Sequence, residues 1–325
     1  MDTDSIQLLK FRPILKSVVW GGEKIAPFKG IVTDQTRIGE SWEISGVPGN
    51  ESVVADGPDA GLTLRQMIEK YGAALVGQKN YERFGSTFPL LIKIIDAAGD
   101  LSLQVHPDDD LARRRHGSLG KTEMWYIVDT EPDAAIVSGL SREITPDEYA
   151  ARVADNTLLD VVAHHVSHPG DVFFLPAGRI HAIGAGNLLV EVQETSDVTY
   201  RIYDYGRLDA KTGKPRQLHV DEAKEAIDYK VYPSYTSTPV DLGNGIRELV
   251  VCDHFSVYEL TIDGEHTFRP VVDSFSALTC IEGELTVSDA GGHAASLRRG
   301  ESLLVPACCR EFTIAGRGRL IDAIS

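Results

Sequence analysis

Apolar and polar positions fall in short runs along most of this chain, and Gly or Pro cuts nearly every run. Short apolar or alternating runs bounded in this way read as strands. Strands are predicted at Leu90–Asp96 and at residues 101–106, 123–128, 171–175 and 188–193. Helical spacing is rarer. Leu64–Tyr71 is amphipathic and follows Thr63, whose hydroxyl suits an N-cap. Thr145-Pro146-Asp147-Glu148 is a strong helix start, with Pro at the first helical position and acids in the first turn. That helix is expected to run to about Val153. A second short helix is predicted over residues 158–164, which sets His164, His165 and His168 near a helix C-terminus in a structural role. Residues 207–216 read as an exposed loop and 232–244 as a linker.

One stretch occurs twice. His168-Pro-Gly-Asp-Val-Phe-Phe-Leu-Pro-Ala-Gly-Arg-Ile-His181 aligns with Arg298-Arg-Gly-Glu-Ser-Leu-Leu-Val-Pro-Ala-Cys-Cys-Arg-Glu311, at a period of 130 residues. Each copy reads as a Gly turn, a buried strand, and a Pro bend that aims the next side chain inward. The expected fold is mainly β: two tandem jelly-roll barrels with a small helical insertion. Residues 1–235 form the first domain in this reading and residues 236–325 the second. His181 of the first copy becomes Glu311 in the second, and the second copy gathers no cluster of ligand-type residues.

Composition narrows the function. The 325 residues carry 32 Lys and Arg against 48 Asp and Glu, a net charge of −16. That argues against nucleic acid or an anionic membrane as the main partner. No apolar run approaches the ~20 residues of a membrane-spanning helix, and the N-terminal residues show no secretion signal. The four cysteines form no CxxC pair and no disulfide framework, which fits a reducing cytoplasm. Cys308 and Cys309 are expected as buried thiols, and Trp20 and Trp42 as core. P-loop, GxGxxG, HExxH and GxSxG motifs are all missing.

Three separated segments do carry chemistry. Gln104 and His106 lie two apart on a predicted strand, so they share a face. Glu123 opens a later strand, and His181 ends the first copy of the repeat. Together they offer two imidazole nitrogens, a carboxylate oxygen and an amide oxygen, a set suited to Zn²⁺ with a position left for water or substrate.

At these residues the chain resembles the cupin superfamily and, within it, the type I phosphomannose isomerases of the shorter bacterial form. The resemblance rests on Pro13-Ile-Leu-Lys-Ser-Val-Val-Trp-Gly-Gly22, Ile38-Gly-Glu-Ser-Trp-Glu-Ile-Ser45, Pro89-Leu-Leu-Ile-Lys93, Gln104-Val-His-Pro-Asp-Asp109, Gly120-Lys-Thr-Glu123, the first copy of the repeat and Tyr200-Arg-Ile-Tyr-Asp-Tyr-Gly-Arg207. It covers roughly residues 10 to 230. Many cupins have a histidine where Gln104 stands, and the isomerase pattern has the glutamine. The resemblance implies one Zn²⁺ per chain, held by Gln104, His106, Glu123 and His181, with Arg201 as the catalytic arginine. Lys121 and Glu191 fall at further active-site positions.

The implied reaction interconverts mannose 6-phosphate and fructose 6-phosphate through an enediol. It needs a base, an oxyanion stabiliser and an anchor for the phosphate. Lys121 and Glu191 compete as the base. Arg207, Ser102 and Lys93 are candidates for substrate binding, and with Lys121 and Arg201 they allow a basic pocket within an acidic protein. The only partner implied is a small sugar phosphate, and a homo-oligomer is left open. Two other readings stand beside this one: another metal-dependent cupin enzyme, such as an iron oxygenase, and a sugar-phosphate-binding cupin without catalysis.

Overall fold

The computed structural model describes residues 6–208 and 212–325. Asp209 and the centre of the loop expected at 207–216 lie outside the described residues, as does the start of the N-terminal stretch.

Three antiparallel sheets organise the chain. The first has six strands, in the order Val172–Leu175, Glu123–Thr130, Asn187–Glu194, Leu90–Asp96, Ile38–Ser45 and Ile14–Gly22. The second has five: Tyr200–Tyr203, Leu103–Val105, His181–Ile183, Ala135–Leu140 and Val162–Val166. The third has nine and is built mostly from the C-terminal part of the chain. Its long strands Ser256–Phe268, Phe312–Ile324 and Ser276–Asp289 lie side by side.

Two-sided burial explains the sequence of the six-stranded sheet. Leu90–Asp96 is buried at every position. Leu90, Ile92 and Ile94 join Val190, Val192, Met124 and Tyr126 in a core shared with Phe275, Leu304, Ile321 and Ala323 of the nine-stranded sheet. Lys93 and Ile95 point the other way, because strand side chains alternate. A strand covered on both faces reads as a nearly continuous apolar run. The polar residues of the opposite face, Lys93, Glu123, Glu191 and Gln193, therefore stand out.

The five-stranded sheet divides its residues in the same manner. Leu103, Val105, Ala182, Tyr200 and Ile202 face outward into a second core with Tyr149 and Ala223. Tyr149 comes from the helix Pro146–Ala154 and Ala223 from the helix Val220–Ala226. Gln104 and Arg201 alternate with these apolar residues on their strands and stand on the inner face. The molecule thus stacks helices, five-stranded sheet, six-stranded sheet and nine-stranded sheet, with the polar rows between the second and third layers.

Local signals explain the helices. Thr63 accepts from Gln66 N at 3.2 Å while Gln66 Oε1 accepts from Thr63 N at 2.9 Å, a complete capping box for Leu64–Tyr71. Thr145 caps Pro146–Ala154 through Glu148 N at 3.1 Å. The repeat is also a structural repeat. Gly170 and Gly300 both take positive φ, at 93° and 79°. Strands Val172–Leu175 and Ser302–Val305 follow at the 130-residue period, and matching turns close on Pro176 and Pro306.

Two expectations are corrected. Residues 158–164 do not form one helix: a 3-10 turn at Leu158–Val161 runs into the strand Val162–Val166. His164 and His165 are therefore strand residues, and the helix dipole has no bearing on them. The β-branched residues at 161, 162 and 166 favour that outcome. The stretch 232–244 is not all linker, because Val240–Gly243 adds an edge strand to the nine-stranded sheet. The sequence left the sheet membership of the N-terminal strands open: Leu9–Arg12 pairs with Ser302–Val305, and Val53–Val54 extends that edge.

Candidate functional site

The inner faces of the two smaller sheets carry two facing rows. On the five-stranded sheet, His181 lies across from both Ser138 and Gln104, and Gln104 lies across from Arg201. Antiparallel partners project to the same side, so Ser138, His181, Gln104 and Arg201 form one row. On the six-stranded sheet, Glu191 lies across from Lys93 and Trp125, and Gln193 lies across from Glu123.

The rows meet at one point. His181 Nε2 is 3.2 Å from His106 Nε2, 3.2 Å from Gln104 Nε2 and 3.3 Å from Glu123 Oε1. His106 Nε2 is 3.5 Å from Glu123 Oε2. His106, Glu123 and His181 are essentially sealed from solvent, and one ligand atom from each falls within a common 4.8 Å span.

Second contacts fix how the ring nitrogens face. His106 Nδ1 donates to Val198 O at 3.0 Å and His181 Nδ1 donates to Arg179 O at 2.8 Å. Both Nδ1 atoms therefore carry the proton, and both Nε2 lone pairs point at the shared centre. Burial drives the His181 pKa down to about 4 and takes His106 well below its ordinary value, with the Lys121 charge adding to both shifts. The imidazoles are neutral near pH 7, the form that binds a metal.

Glu123 supplies the test of fit. Both of its carboxylate oxygens are buried without a well-formed hydrogen bond, with only the Lys121 ammonium near, 3.4 Å from Oε2, which is costly for a charged group. Burial and the neighbouring Glu191 push its pKa up to about 8, against the pull of Lys121 and Lys93. A divalent ion would satisfy both oxygens at once. Ser138 Oγ, Gln193 Oε1 and Arg201 Nε also lack partners, and all three stand on the facing rows. The donor set of two imidazoles and a carboxylate fits a transition-metal ion with open positions; Gln104 presents its amide nitrogen to His181, and its oxygen faces the centre only with the amide turned over.

The other expected residues surround this point. Lys121 is buried, with Nζ 3.4 Å from Glu123 Oε2. Glu191 is buried and fully engaged: Lys93 Nζ donates to Oε1 at 2.8 Å and Trp125 Nε1 donates to Oε2 at 2.8 Å. Burial raises the Glu191 pKa, but Lys93, Lys121 and the two hydrogen bonds outweigh it and hold the carboxyl below its ordinary value. Ser102 is buried two residues before Gln104. Arg207 stands at the edge, bonded to Asp204 and to the carbonyl of Asp100. Trp20 and Trp42 are core residues.

Sequence reasoning missed several neighbours. Arg216 shares the Asp204 carboxylate with Arg207, and His219 Nδ1 accepts from Arg201 N at 3.2 Å. Ser138 and Gln193 carry no motif. Only pairing register, which the sequence does not print, sets them across from His181 and Glu123.

Residues 8–138 match the catalytic domain of type I phosphomannose isomerase, and residues 245–324 match the cupin domain of mannose-6-phosphate isomerase. The mannose-6-phosphate isomerase ManA of Bacillus subtilis is 35% identical over 96% of this chain and 97% of its own length. The chain belongs to the type I phosphomannose isomerase family. The Streptococcus mutans mannose-6-phosphate isomerase is 32% identical over 94% of this chain and 95% of its own. The crystal structure of the Bacillus subtilis mannose 6-phosphate isomerase superimposes with a TM-score of 0.88 at 32% identity, covering 98% and 99% of the two chains. A phosphomannose isomerase from Salmonella typhimurium shares the fold at 18% identity and a TM-score of 0.79. Among the described residues no helix is long and apolar enough to cross a membrane.

Proposed function

We propose that this phosphomannose isomerase interconverts mannose 6-phosphate and fructose 6-phosphate, using one zinc ion held by Gln104, His106, Glu123 and His181. The observation that carries the proposal is the convergence of His106, His181 and the buried Glu123 carboxylate on one point, with Gln104 in register beside them. The family and its relatives supply the substrate.

A divalent ion held by Gln104, His106, Glu123 and His181 would supply Lewis acidity to the sugar oxygens on which negative charge develops. The chain's own residues do the rest. The proton leaves C2 of the aldose and returns at C1, while a hydroxyl proton moves from O2 to O1. Lys121 is the better candidate to carry the carbon-bound proton, since both oxygens of Glu191 are already occupied by Lys93 and Trp125. Glu191 then acts by holding Lys93 against the pocket wall. Arg201, with an unpartnered Nε on the ligand row, offers a fixed cation to the developing oxyanion. Arg207 and Ser102 are assigned to holding the phosphate, and Lys93 adds positive charge.

The catalytic unit is assigned to residues 1–235, and residues 236–325 form a second cupin without a metal. Glu311, in the place of His181, pairs with Arg269 instead of a ligand cluster. A cytoplasmic enzyme is consistent with cysteines that form no disulfide among the described residues.

The test is to incubate purified, metal-loaded protein with mannose 6-phosphate and follow fructose 6-phosphate. Conversion that stops with a chelator and returns with zinc is expected. Sugar-phosphate binding without turnover would replace the proposal with a binding function.

A further inference from the structure

Thr122 sits between Lys121 and Glu123, and one residue grips its peptide groups from both sides. Thr122 N donates to Glu194 Oε2 at 2.8 Å, and Thr122 O accepts from Glu194 N at 3.1 Å. Glu194 is only 4% exposed. Its other oxygen, Oε1, lies 2.8 Å from His254 Nδ1. His254 belongs to the turn between strands Ile246–Val251 and Ser256–Phe268 of the nine-stranded sheet. A side chain from the C-terminal part of the chain thus reaches the segment that carries Lys121 and leads into Glu123.

The same segment is braced once more. Gly120 N donates to Asp109 Oδ1 at 2.8 Å and Lys121 N donates to Pro107 O at 3.1 Å. Asp109, Glu194 and His254 bring ligand atoms close together. Even so, the Asp109 and Glu194 carboxylates are each spent on a backbone N–H of residues 120–122, so the cluster serves as a strut for the polypeptide rather than as a cation site. Glu194 has three rotatable side-chain bonds, and one amide does not fix them. The imidazole closes the chain of contacts, and its own carbonyl is held by Ser325 Oγ at 3.0 Å.

We infer that His254 is a positioning residue: through Glu194 it holds the Thr122 peptide and so sets Lys121 Nζ and the Glu123 carboxylate. The inference rests on the roles proposed above for Lys121 and Glu123. It also gives the metal-free C-terminal cupin a task in the reaction, as the fixed support of the catalytic segment. Outer contacts of this kind typically change metal affinity or activity by about 10- to 100-fold.

The experiment uses the full-length, zinc-loaded protein with His254→Ala, His254→Asn and, as a control, His293→Ala. The control breaks an ion pair with Asp289 elsewhere in the C-terminal sheet. Four readouts are taken: kcat, KM for mannose 6-phosphate, zinc release to a chelator, and hydrogen exchange in the peptide spanning residues 119–125. His254→Ala is expected to lower kcat about 10-fold with KM little changed, to speed zinc release by a similar factor, and to raise exchange in that peptide. His254→Asn, which keeps a donor of comparable reach, is expected to recover most of each effect, and His293→Ala to leave all four unmoved. If His254→Ala does not fold, His254→Leu fills the imidazole's space without a donor and is read identically. Unchanged kcat, zinc release and exchange would overturn the inference, as would loss of thermal stability alone or an Asn variant no better than Ala. If the unaltered protein proves inactive on mannose 6-phosphate, the functional reading falls separately, and the exchange data still judge the strut.

Discussion

Arg201 lies directly across from Gln104 in antiparallel register, so the guanidinium stands on the same face as the amide of the ligand row. Its Nε is buried without a partner, and Nη1 donates to the Gln217 carbonyl at 3.2 Å. Burial lowers its pKa somewhat, with Arg216 adding to the effect, yet an arginine stays charged. The group is a cation on the face of the ligand row, tethered at one end.

Arg201→Ala should therefore lower kcat by about 10²- to 10³-fold, the scale for losing one oxyanion donor. Bound zinc should stay near one per chain. His106→Ala should do the reverse at the first step and lose the metal. Metal analysis beside steady-state kinetics separates them. Zinc lost from the Arg201 variant, or stoichiometric zinc retained by the His106 variant, would reverse the assigned roles.

Lys93 and Glu191 form an ion pair whose side chains are 8% and 5% exposed. Removing one partner leaves the other charge buried, at a cost of about 3–5 kcal/mol. Glu191→Leu alone should fall in that range in urea unfolding. Adding Lys93→Met should restore most of the stability while activity stays low. A double variant as unstable as the single one would show that the pair is not coupled as described.

Asp322 gives a pH prediction. Its Oδ1 is buried without a partner, and Ser276 Oγ reaches Oδ2 at 3.3 Å. Burial raises its pKa to about 7, against the weaker effect of the Ser276 hydrogen bond. A carboxyl raised above its unfolded value near 3.8 binds more protons when folded. Its contribution to stability is therefore intact at low pH and declines as pH rises from about 4 toward 7. Asp322→Asn should remove that decline and gain about 1–3 kcal/mol at pH 8 relative to pH 4. Thermal unfolding across that range measures it. Parallel pH curves for the two proteins would show that Asp322 is ionised in the fold without penalty.

Much of the site was legible because its residues obey local rules. Gln104 and His106 declare themselves by a spacing of two on a strand, and His181 by the repeated turn–strand–bend that ends on it. Leu90–Asp96 was visible as an apolar run broken by Lys93, the residue that turns toward the site. What stayed hidden depends on register and on long-range pairing. Nothing local to Leu9–Arg12 says that it pairs with a strand near residue 303. Ser138, Gln193 and His254 have ordinary neighbours in sequence and acquire meaning only from what lies across a sheet or across the domain contact. His164 and His165 fall on a strand rather than at a helix end because a 3-10 turn and a following strand share the apolar content of a short helix.

X-ray absorption at the zinc edge of the protein as purified, without added metal, bears most directly on the convergence of four side chains around one ion. One zinc per chain is expected, with two imidazole nitrogens and oxygen donors at about 2.0–2.2 Å and no sulfur. A sulfur shell, or zinc far below one per chain in protein that still turns over mannose 6-phosphate, would contradict it.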